Sequence, residues 1–196
     1  MLEIQKRILG EEHPSTLGSM TNLGLLYLSM KRLDDAQAMF EISLPINRRV
    51  LGMRHRWTRN ALTGLARTYD ELDRNDDSIG LWRELLEFQL GQAEDPAASA
   101  QVLNGAAWNL LTNEHAELRD PARELPLARR AADRTGGADP AILDTLALAQ
   151  HLTGDTPTAI ETEKKALSLL PPDAPGRGDY ETALAKFEAA LEDESK

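Results

Sequence analysis

The 196-residue sequence contains no cysteine, few aromatic residues (5%) and no long apolar run. Without cysteine the chain can form no disulfide, no thiolate metal site and no cysteine nucleophile. No stretch approaches the roughly 20 apolar residues that a membrane-spanning helix needs. Residues 1–7 also lack the apolar core of a signal peptide. We therefore expect a cytoplasmic protein without a membrane partner.

Positive charge is in deficit as well. The chain has 22 lysine and arginine residues against 32 aspartate and glutamate residues, which gives a net charge of −10. Such a charge opposes contact with nucleic acids and anionic membranes, so we expect neither as a partner. Alanine and leucine supply most of the apolar side chains, and this composition favours helices packed through small contacts.

Sequence signatures of catalysis are absent. The glycine-rich phosphate-binding motifs and the helical zinc motif do not occur. Two of the four histidines, His13 and His55, occupy matching positions in the chain, which favours a structural role in a turn over a metal or catalytic role. We predict no catalytic residue, no metal ligand and no cofactor.

One stretch of the sequence recurs at a fixed distance. Residues 9–14 (Leu-Gly-Glu-Glu-His-Pro) return 42 positions later as residues 51–56 (Leu-Gly-Met-Arg-His-Arg). A leucine, a small residue and a tyrosine follow each copy at equal spacing: Leu23, Gly24 and Tyr27, then Leu65, Ala66 and Tyr69. A period of this length predicts a helical repeat array, in which each helix pair buries its apolar face against the next.

The apolar spacing predicts a single repeat domain over residues 1–196. It comprises a half helix at 1–10, helix pairs at about 13–52, 56–91, 95–136 and 139–171, and a capping helix at about 179–192. Asp34 is predicted to cap the second helix of the first pair, and Gly91 to end the second pair. Because the half helix keeps apolar residues, we expect a C-terminal fragment of a larger protein, with a short capping helix as the alternative.

These repeats resemble tetratricopeptide repeats. In the first pair Leu23, Gly24, Tyr27, Ala36 and Phe40 match the family pattern, and the second pair matches at Leu65, Ala66, Tyr69 and Trp82. The resemblance implies an all-α, antiparallel helix-pair solenoid, a right-handed superhelix closed by the C-terminal capping helix. The 42-residue period is similar to that of kinesin light chains and their bacterial relatives.

The second half of the chain departs from the pattern. Glu124 stands where the third pair should have a small residue, and Gln150 and Glu163 stand where the fourth should have aromatics. Residues 107–111 and 117–121 look like a repeat found at the C-terminus of bacterial multidomain proteins, which frequently carry a serine/threonine kinase domain. A regulatory tail of such an enzyme is therefore the alternative function.

The resemblance implies a non-catalytic scaffold that binds a protein or peptide on the concave face lined by the first helix of each pair. Amide side chains suit this role because they both donate and accept hydrogen bonds. The expected peptide-binding residues are Asn22, Asn60, Thr63, Arg67, Gln101, Asn104 and Trp108. The fourth pair would add Asp144, Leu148 and His151.

Two surface features suggest further contacts. Five arginines, Arg48, Arg49, Arg54, Arg56 and Arg59, lie in a region without an acidic residue. They are read either as a solvated edge or as a docking patch for an acidic or phosphorylated segment. The apolar stripe of Leu2, Ile4 and Ile8 is a candidate for self-association through the open N-terminal end.

Overall fold

The computed structural model describes residues 2–194, and in this range it is entirely helical. The predicted all-α class is therefore confirmed. A single turn of 3-10 helix at Ala116–Leu118 interrupts the connection between the sixth and seventh helices. The ten α-helices are α1 (Leu2–Leu9), α2 (Pro14–Ser29), α3 (Leu33–Leu51), α4 (Arg56–Glu71), α5 (Asn75–Ala93), α6 (Ala100–Thr112), α7 (Pro121–Arg134), α8 (Pro140–Leu152), α9 (Thr156–Leu169) and α10 (Arg177–Glu194).

The contacts divide the chain into two compact units, residues 1–88 (unit 1) and 89–196 (unit 2), and the division falls within α5. In unit 1, α1 packs on α2, α2 on α3, and α3 on α4. In unit 2, each helix from α6 to α10 packs on the next along the chain. Along the part of the chain that the structure describes, no helix is both long and apolar enough to cross a membrane.

The repeated junctions of unit 1 end one helix and begin the next by the same chemistry. Gly10 and Gly52 have φ angles of 88° and 74°, a left-handed conformation that glycine adopts without a steric penalty. His13 and His55 then cap α2 and α4, since the Nδ1 atom of each accepts a hydrogen bond of 3.2 Å from the backbone N–H two residues on. The two histidines thus have the turn role predicted for them.

The core of unit 1 is organised around the ring of Phe40 in α3, which is fully buried. A Cβ atom placed on Gly24 of α2 would lie 2.7 Å from this ring, and one placed on Gly64 of α4 would lie 2.3 Å from it. Both distances are shorter than any normal carbon contact. The absence of two side chains therefore creates the space that the ring of Phe40 fills between α2 and α4.

A buried polar contact joins the same three helices. The Asn47 side chain is fully buried, and its Nδ2 donates to the Thr21 hydroxyl of α2 at 3.2 Å. The Thr58 hydroxyl of α4 donates to the backbone carbonyl of Asn47 at 3.3 Å. Because buried polar groups without partners are costly, these bonds favour one registration of α2, α3 and α4.

The helices of unit 2 pack mainly through alanine and leucine. Ala106, Ala107, Ala128, Ala131 and Leu103 are almost completely inaccessible to solvent. Such small side chains let helices approach closely, and they bury less area per residue than the aromatic core of unit 1.

The helix starts of unit 2 are set by aspartate caps. The Asp120 carboxylate accepts from Arg123 N–H, and Glu124 Oε1 accepts from Asp120 N–H at 2.9 Å, which forms a reciprocal capping box. Asp139 caps α8 by accepting from Ala141 N–H at 3.0 Å. Asp155 begins α9 in the same way. These local signals explain why the helix starts could be predicted from the sequence.

Two predicted helix boundaries are wrong, the start of α3 and the end of α5. Asp34 is not a cap, because α3 begins at Leu33 and Asp34 lies in its first turn. The exposed Asp34 side chain there complements the positive end of the helix dipole. Gly91 does not end α5, which continues to Ala93. Ala93 is 1% exposed and its carbonyl accepts from Arg130 at 3.0 Å, so tertiary contacts extend the helix past the glycine.

Substitution of Gly64 by alanine should destabilise unit 1, because the added Cβ cannot fit beside the ring of Phe40. We expect a loss of about 1–3 kcal/mol in the free energy of unfolding, typical of overpacking. Gly80→Ala is the matched control, since Gly80 lies in α5 with nothing within 4 Å of the added atom. That control should stabilise the chain by about 0.5–1 kcal/mol. Chemical unfolding followed by circular dichroism measures both, and equal unfolding free energies would contradict the packing described for Phe40.

Candidate functional site

The predicted binding residues of unit 1 lie on α2 and α4. Asn22, Asn60 and Arg67 are exposed, and Thr63 is partly buried. Asn60, Thr63 and Arg67 share one side of α4 because they are three and four residues apart. Asn22 belongs to a shallow depression of about 400 Å³, whereas the three α4 residues lie outside it. The residues that line this depression are Gln5, Pro14, Ser15, Gly18, Ser19, Asn22, Arg56 and Trp57.

The more enclosed feature of unit 2 is a groove of about 330 Å³ between α6, α8 and α10, which we call the Trp108 groove. Trp108 is 42% exposed, an unusual state for so large an apolar side chain. The lining residues are Trp108, Asp144, Leu148, Asp179, Thr182, Ala183, Lys186 and Phe187. Trp108, Asp144 and Leu148 of the predicted face thus meet in one place.

Helix periodicity positions these side chains. On α6, Ala106 and Ala107 are buried in the core, which leaves the neighbouring Trp108 at the edge of the helix. On α8, Asp144 and Leu148 are one turn apart and present the same face. On α10, the five lining residues are 179, 182, 183, 186 and 187, which share one side of the helix. The groove is therefore lined by Trp108 of α6 and by one stripe of residues from each of α8 and α10.

Three other residues predicted for this face do not line the groove. Gln101 is exposed on α6, one turn before Asn104. Asn104 is half-buried, and its Oδ1 atom is inaccessible and accepts no hydrogen bond. His151 is bonded through Nδ1 to the Thr156 hydroxyl at 3.1 Å, and its ring lies 4.7 Å from that of Phe187. His151 supports the wall behind the groove rather than its surface.

The groove carries two carboxylates on facing helices, Asp144 of α8 and Asp179 of α10. Burial raises the pKa of Asp144, and the neighbouring Asp179 carboxylate raises it further. Burial is also the main cause of the raised pKa of Tyr180, and the nearby carboxylates of Asp144 and Glu163 raise this pKa further. The interior side of α10 is therefore an electrostatically negative environment.

The arginine run of unit 1 is partly neutralised. Arg49 forms two hydrogen bonds, of 2.6 and 3.0 Å, with the Glu12 carboxylate, and this pairing lowers the pKa of Glu12. Arg48 forms an ion pair with Glu84. The acidic partners lie 36 and 37 residues away in the sequence, so the run could not reveal them.

The remaining arginines of the run contact neighbouring groups. Arg59 donates to the backbone carbonyls of Met53 and Arg54. The guanidinium of Arg56 lies 4.1 Å from the centre of the Trp57 ring. Arg54 is exposed. A docking role for the run stays a prediction, and Arg54 and Arg56 are its most accessible members.

Two carboxyl groups of unit 2 are buried in its core. Glu163 is fully inaccessible, and neither of its carboxyl oxygens has a hydrogen-bond partner. Burial, with a further contribution from Asp144, raises the pKa of Glu163 to about 8. Burial also raises the pKa of Glu124 to about 7, against the opposing effect of the hydrogen bond from Asp120 N–H. Two of the three departures from the repeat pattern in the last two pairs thus place a carboxyl group in the buried core.

Within residues 2–194, no group of three or more histidine, aspartate or glutamate side chains could hold a metal ion. The structure brings together the carboxylates, the indole and the apolar walls of the Trp108 groove. Apolar contact and negative charge are therefore available at one place on the surface of unit 2.

Within each unit the structure shows neighbouring antiparallel helices packed against one another, the architecture of a helical repeat protein. Residues 17–91 match the model of the Tetratricopeptide repeat family, which confirms the resemblance for that part of the chain. No curated protein matches the chain.

Two solved structures share the fold. One is of a Podosopora anserina protein described as a kinesin light chain with nearly identical TPR-like repeats. It has a TM-score of 0.61 and 18% identity, and the match covers 92% of this chain and 89% of that one. The other is an assembly chaperone of RpL4, with a TM-score of 0.53 and 15% identity over 97% of this chain and 78% of that one. At these identities the likeness concerns the fold, and it extends beyond the stretch matched by the family model.

The buried Glu163 should make the stability of unit 2 depend on pH. Its pKa is raised from 4.5 to about 8 on folding, so the folded state binds the proton more tightly than the unfolded chain. The stability contributed by the protonated form is complete below about pH 4.5 and is lost as the pH rises through about 8. Glu124, whose pKa is also raised, adds a smaller effect of the same sign.

We therefore expect Glu163→Gln to raise the melting temperature at about pH 8 and to change it little at about pH 5. An increase of about 1 kcal/mol in the free energy of unfolding corresponds to a rise of roughly 4–8 °C in the melting temperature of a unit of this size. Glu161→Gln on the exposed side of α9 is the control and should follow the unchanged chain. Thermal unfolding across this pH range is the measurement, and parallel pH profiles for all three proteins would contradict the assignment.

Proposed function

We propose that this chain is a non-catalytic scaffold that binds a protein or a peptide through the exposed faces of the first helices of its pairs. The observation that carries the proposal is Trp108, a large aromatic side chain left 42% exposed beside a groove with apolar walls. The tetratricopeptide repeats of residues 17–91 support it, because the fold serves protein interaction in the proteins that share it.

The energetics favour Trp108 as the centre of such a contact. Binding energy in protein interfaces concentrates in a few residues, among which tryptophan is enriched. Leu148 and Phe187 line the groove together with the indole, so a partner side chain that enters it is removed from water on several sides. The volume of about 330 Å³ is at the low end of the range for ligand sites and suits side chains of a peptide.

The remaining residues of the proposed face supply hydrogen bonds. In unit 1, Asn22, Asn60, Thr63 and Arg67 are accessible and can contact an extended backbone. In unit 2, Gln101 precedes Trp108 by two turns of the same helix. Asn104 lies between them, but its Oδ1 atom is inaccessible and is not among the accessible acceptors of this face.

Replacement of Trp108 by alanine should weaken partner binding without loss of the fold. A hot-spot residue contributes about 2 kcal/mol or more, so we expect an affinity roughly thirtyfold lower. Capture of partners from the native host, followed by an affinity measurement with each captured protein, tests this. Leu169→Ala is the matched control, since Leu169 is 43% exposed on α9 outside the groove.

Asn60→Ala combined with Arg67→Ala tests the face of unit 1 in the same assay. The proposal is contradicted if both this double variant and Trp108→Ala bind the captured partners undiminished.

Self-association is a second candidate, favoured by the apolar stripe on α1. Ile4 and Ile8 are 55% and 69% exposed, and Leu9 is 44% exposed. Adjacent apolar side chains at this exposure are unusual on a monomer surface and are typical of contact sites.

We expect the mass measured by light scattering to rise with protein concentration, and Ile4→Lys with Ile8→Lys to abolish the rise. Ile42→Lys, which changes a 50% exposed isoleucine on α3, is the control and should leave the rise intact. A monomer mass that does not vary with concentration would exclude self-association through α1.

A further inference from the structure

We propose that the Trp108 groove receives an arginine side chain of the bound peptide, with the guanidinium held between Trp108 and the carboxylates of Asp144 and Asp179. The inference rests on the proposed peptide-binding function and names the chemistry of the partner. It follows from the charge, the apolar walls and the exposed indole of this one groove.

The carboxylates supply the charge that a guanidinium needs. Asp144 and Asp179 approach from two different helices, and within the described residues neither side chain forms an ion pair. Each therefore keeps its full capacity to accept hydrogen bonds. A cation between them would offset both their mutual repulsion and the loss of hydration of Asp144. An acidic or neutral side chain would do neither.

The walls of the groove match the rest of an arginine side chain. Leu148 and Phe187 form an apolar surface on which the three methylene groups of arginine can pack. The exposed face of Trp108 can stack on the planar guanidinium, an interaction for which tryptophan is the best aromatic partner. The chain itself shows this geometry elsewhere, where Arg56 lies 4.1 Å from the centre of the Trp57 ring. The same planar stacking and forked hydrogen bonding distinguish arginine from lysine.

Lys186 limits the groove to a single basic side chain. It lines the groove two helical turns after Asp179, which corresponds to roughly 10 Å along α10. Its positive charge disfavours a second basic residue at that end. The preferred segment therefore carries one arginine flanked by neutral or acidic residues, and a continuous basic run is disfavoured.

Capped single residues test the chemistry of the groove directly. The probe is N-acetyl-arginine amide, and the readout is the indole N–H resonance of Trp108 in the spectrum of the ¹⁵N-labelled chain. Trp57 and Trp82 are the only other tryptophans and serve as internal references. The matched probe is N-acetyl-citrulline amide, which has nearly the same shape without the charge.

We expect N-acetyl-arginine amide to shift the Trp108 resonance saturably. N-acetyl-citrulline amide should bind at least about tenfold more weakly, in line with the strength of charge-assisted hydrogen bonds. Asp144→Asn with Asp179→Asn should weaken arginine binding by a similar factor. Asp133→Asn with Asp173→Asn, two exposed acids of unit 2, should leave it unchanged. Equal binding of arginine and citrulline, or arginine binding that persists in the Asp144 and Asp179 double variant, would overturn the inference.

A position-scanning peptide library, probed with the full chain, separates this inference from the proposed function. Enrichment of arginine at one position, lost in the Asp144 and Asp179 double variant, supports the inference. Peptides that bind and compete for Trp108 without any preference for arginine overturn the inference and leave the proposed function standing. A library from which no peptide binds contradicts peptide binding itself and the inference with it.

Discussion

The close approach of neighbouring helices is the constraint on which the rest of this structure depends. In unit 1 it is met by two glycines that leave room for the ring of Phe40, so that one aromatic side chain of α3 packs against both α2 and α4. In unit 2 the same constraint is met by a buried cluster to which α6, α7, α8 and α9 all contribute alanines. The first solution requires one particular ring at one position. The second distributes the contact over many small residues and leaves more of the surface open to variation.

That difference bears on where binding residues can occur. Alanine-rich contacts bury little area per residue, so large side chains of unit 2 are not all needed in the core. Trp108 lies beside two buried alanines and remains available at the surface. The core of unit 2 also admits carboxyl groups at positions where the repeat pattern has a small or an aromatic residue. Glu124 and Glu163 are tolerated there in protonated form at the expense of stability at high pH.

Local sequence signals were sufficient to predict much of the fold. The helix class and the starts at Pro14, Pro121 and Pro140 follow from proline and capping residues close to one another in the sequence. The end of α5, which was predicted wrongly, depends on a distant contact, because the Arg130 side chain bonds the carbonyl of Ala93. The fit of Phe40 against Gly64 was also missed, because a glycine in a helix does not reveal which side chain fills its place.

The candidate site could be predicted only in part from the sequence. The resemblance to tetratricopeptide repeats implied one face for Trp108, Asp144 and Leu148, and the structure brings them into one groove. Asp179 and Lys186 were not anticipated. The proline- and glycine-rich linker before α10 breaks the repeat register, so the position of that helix could not be extrapolated from the earlier pairs. The partners of Arg48 and Arg49 were missed because they lie nearly one repeat away.

The buried acids also couple the folding of unit 2 to the exchange of protons with the buffer. Near neutral pH the unfolded chain carries ionised glutamates, whereas Glu163 and part of the Glu124 population are protonated once folded. Folding therefore takes up protons, and the heat measured for it includes the ionisation enthalpy of whichever buffer supplies them. We therefore expect the calorimetric enthalpies of this chain to differ between buffers of the same pH, although the folded structure is the same in each.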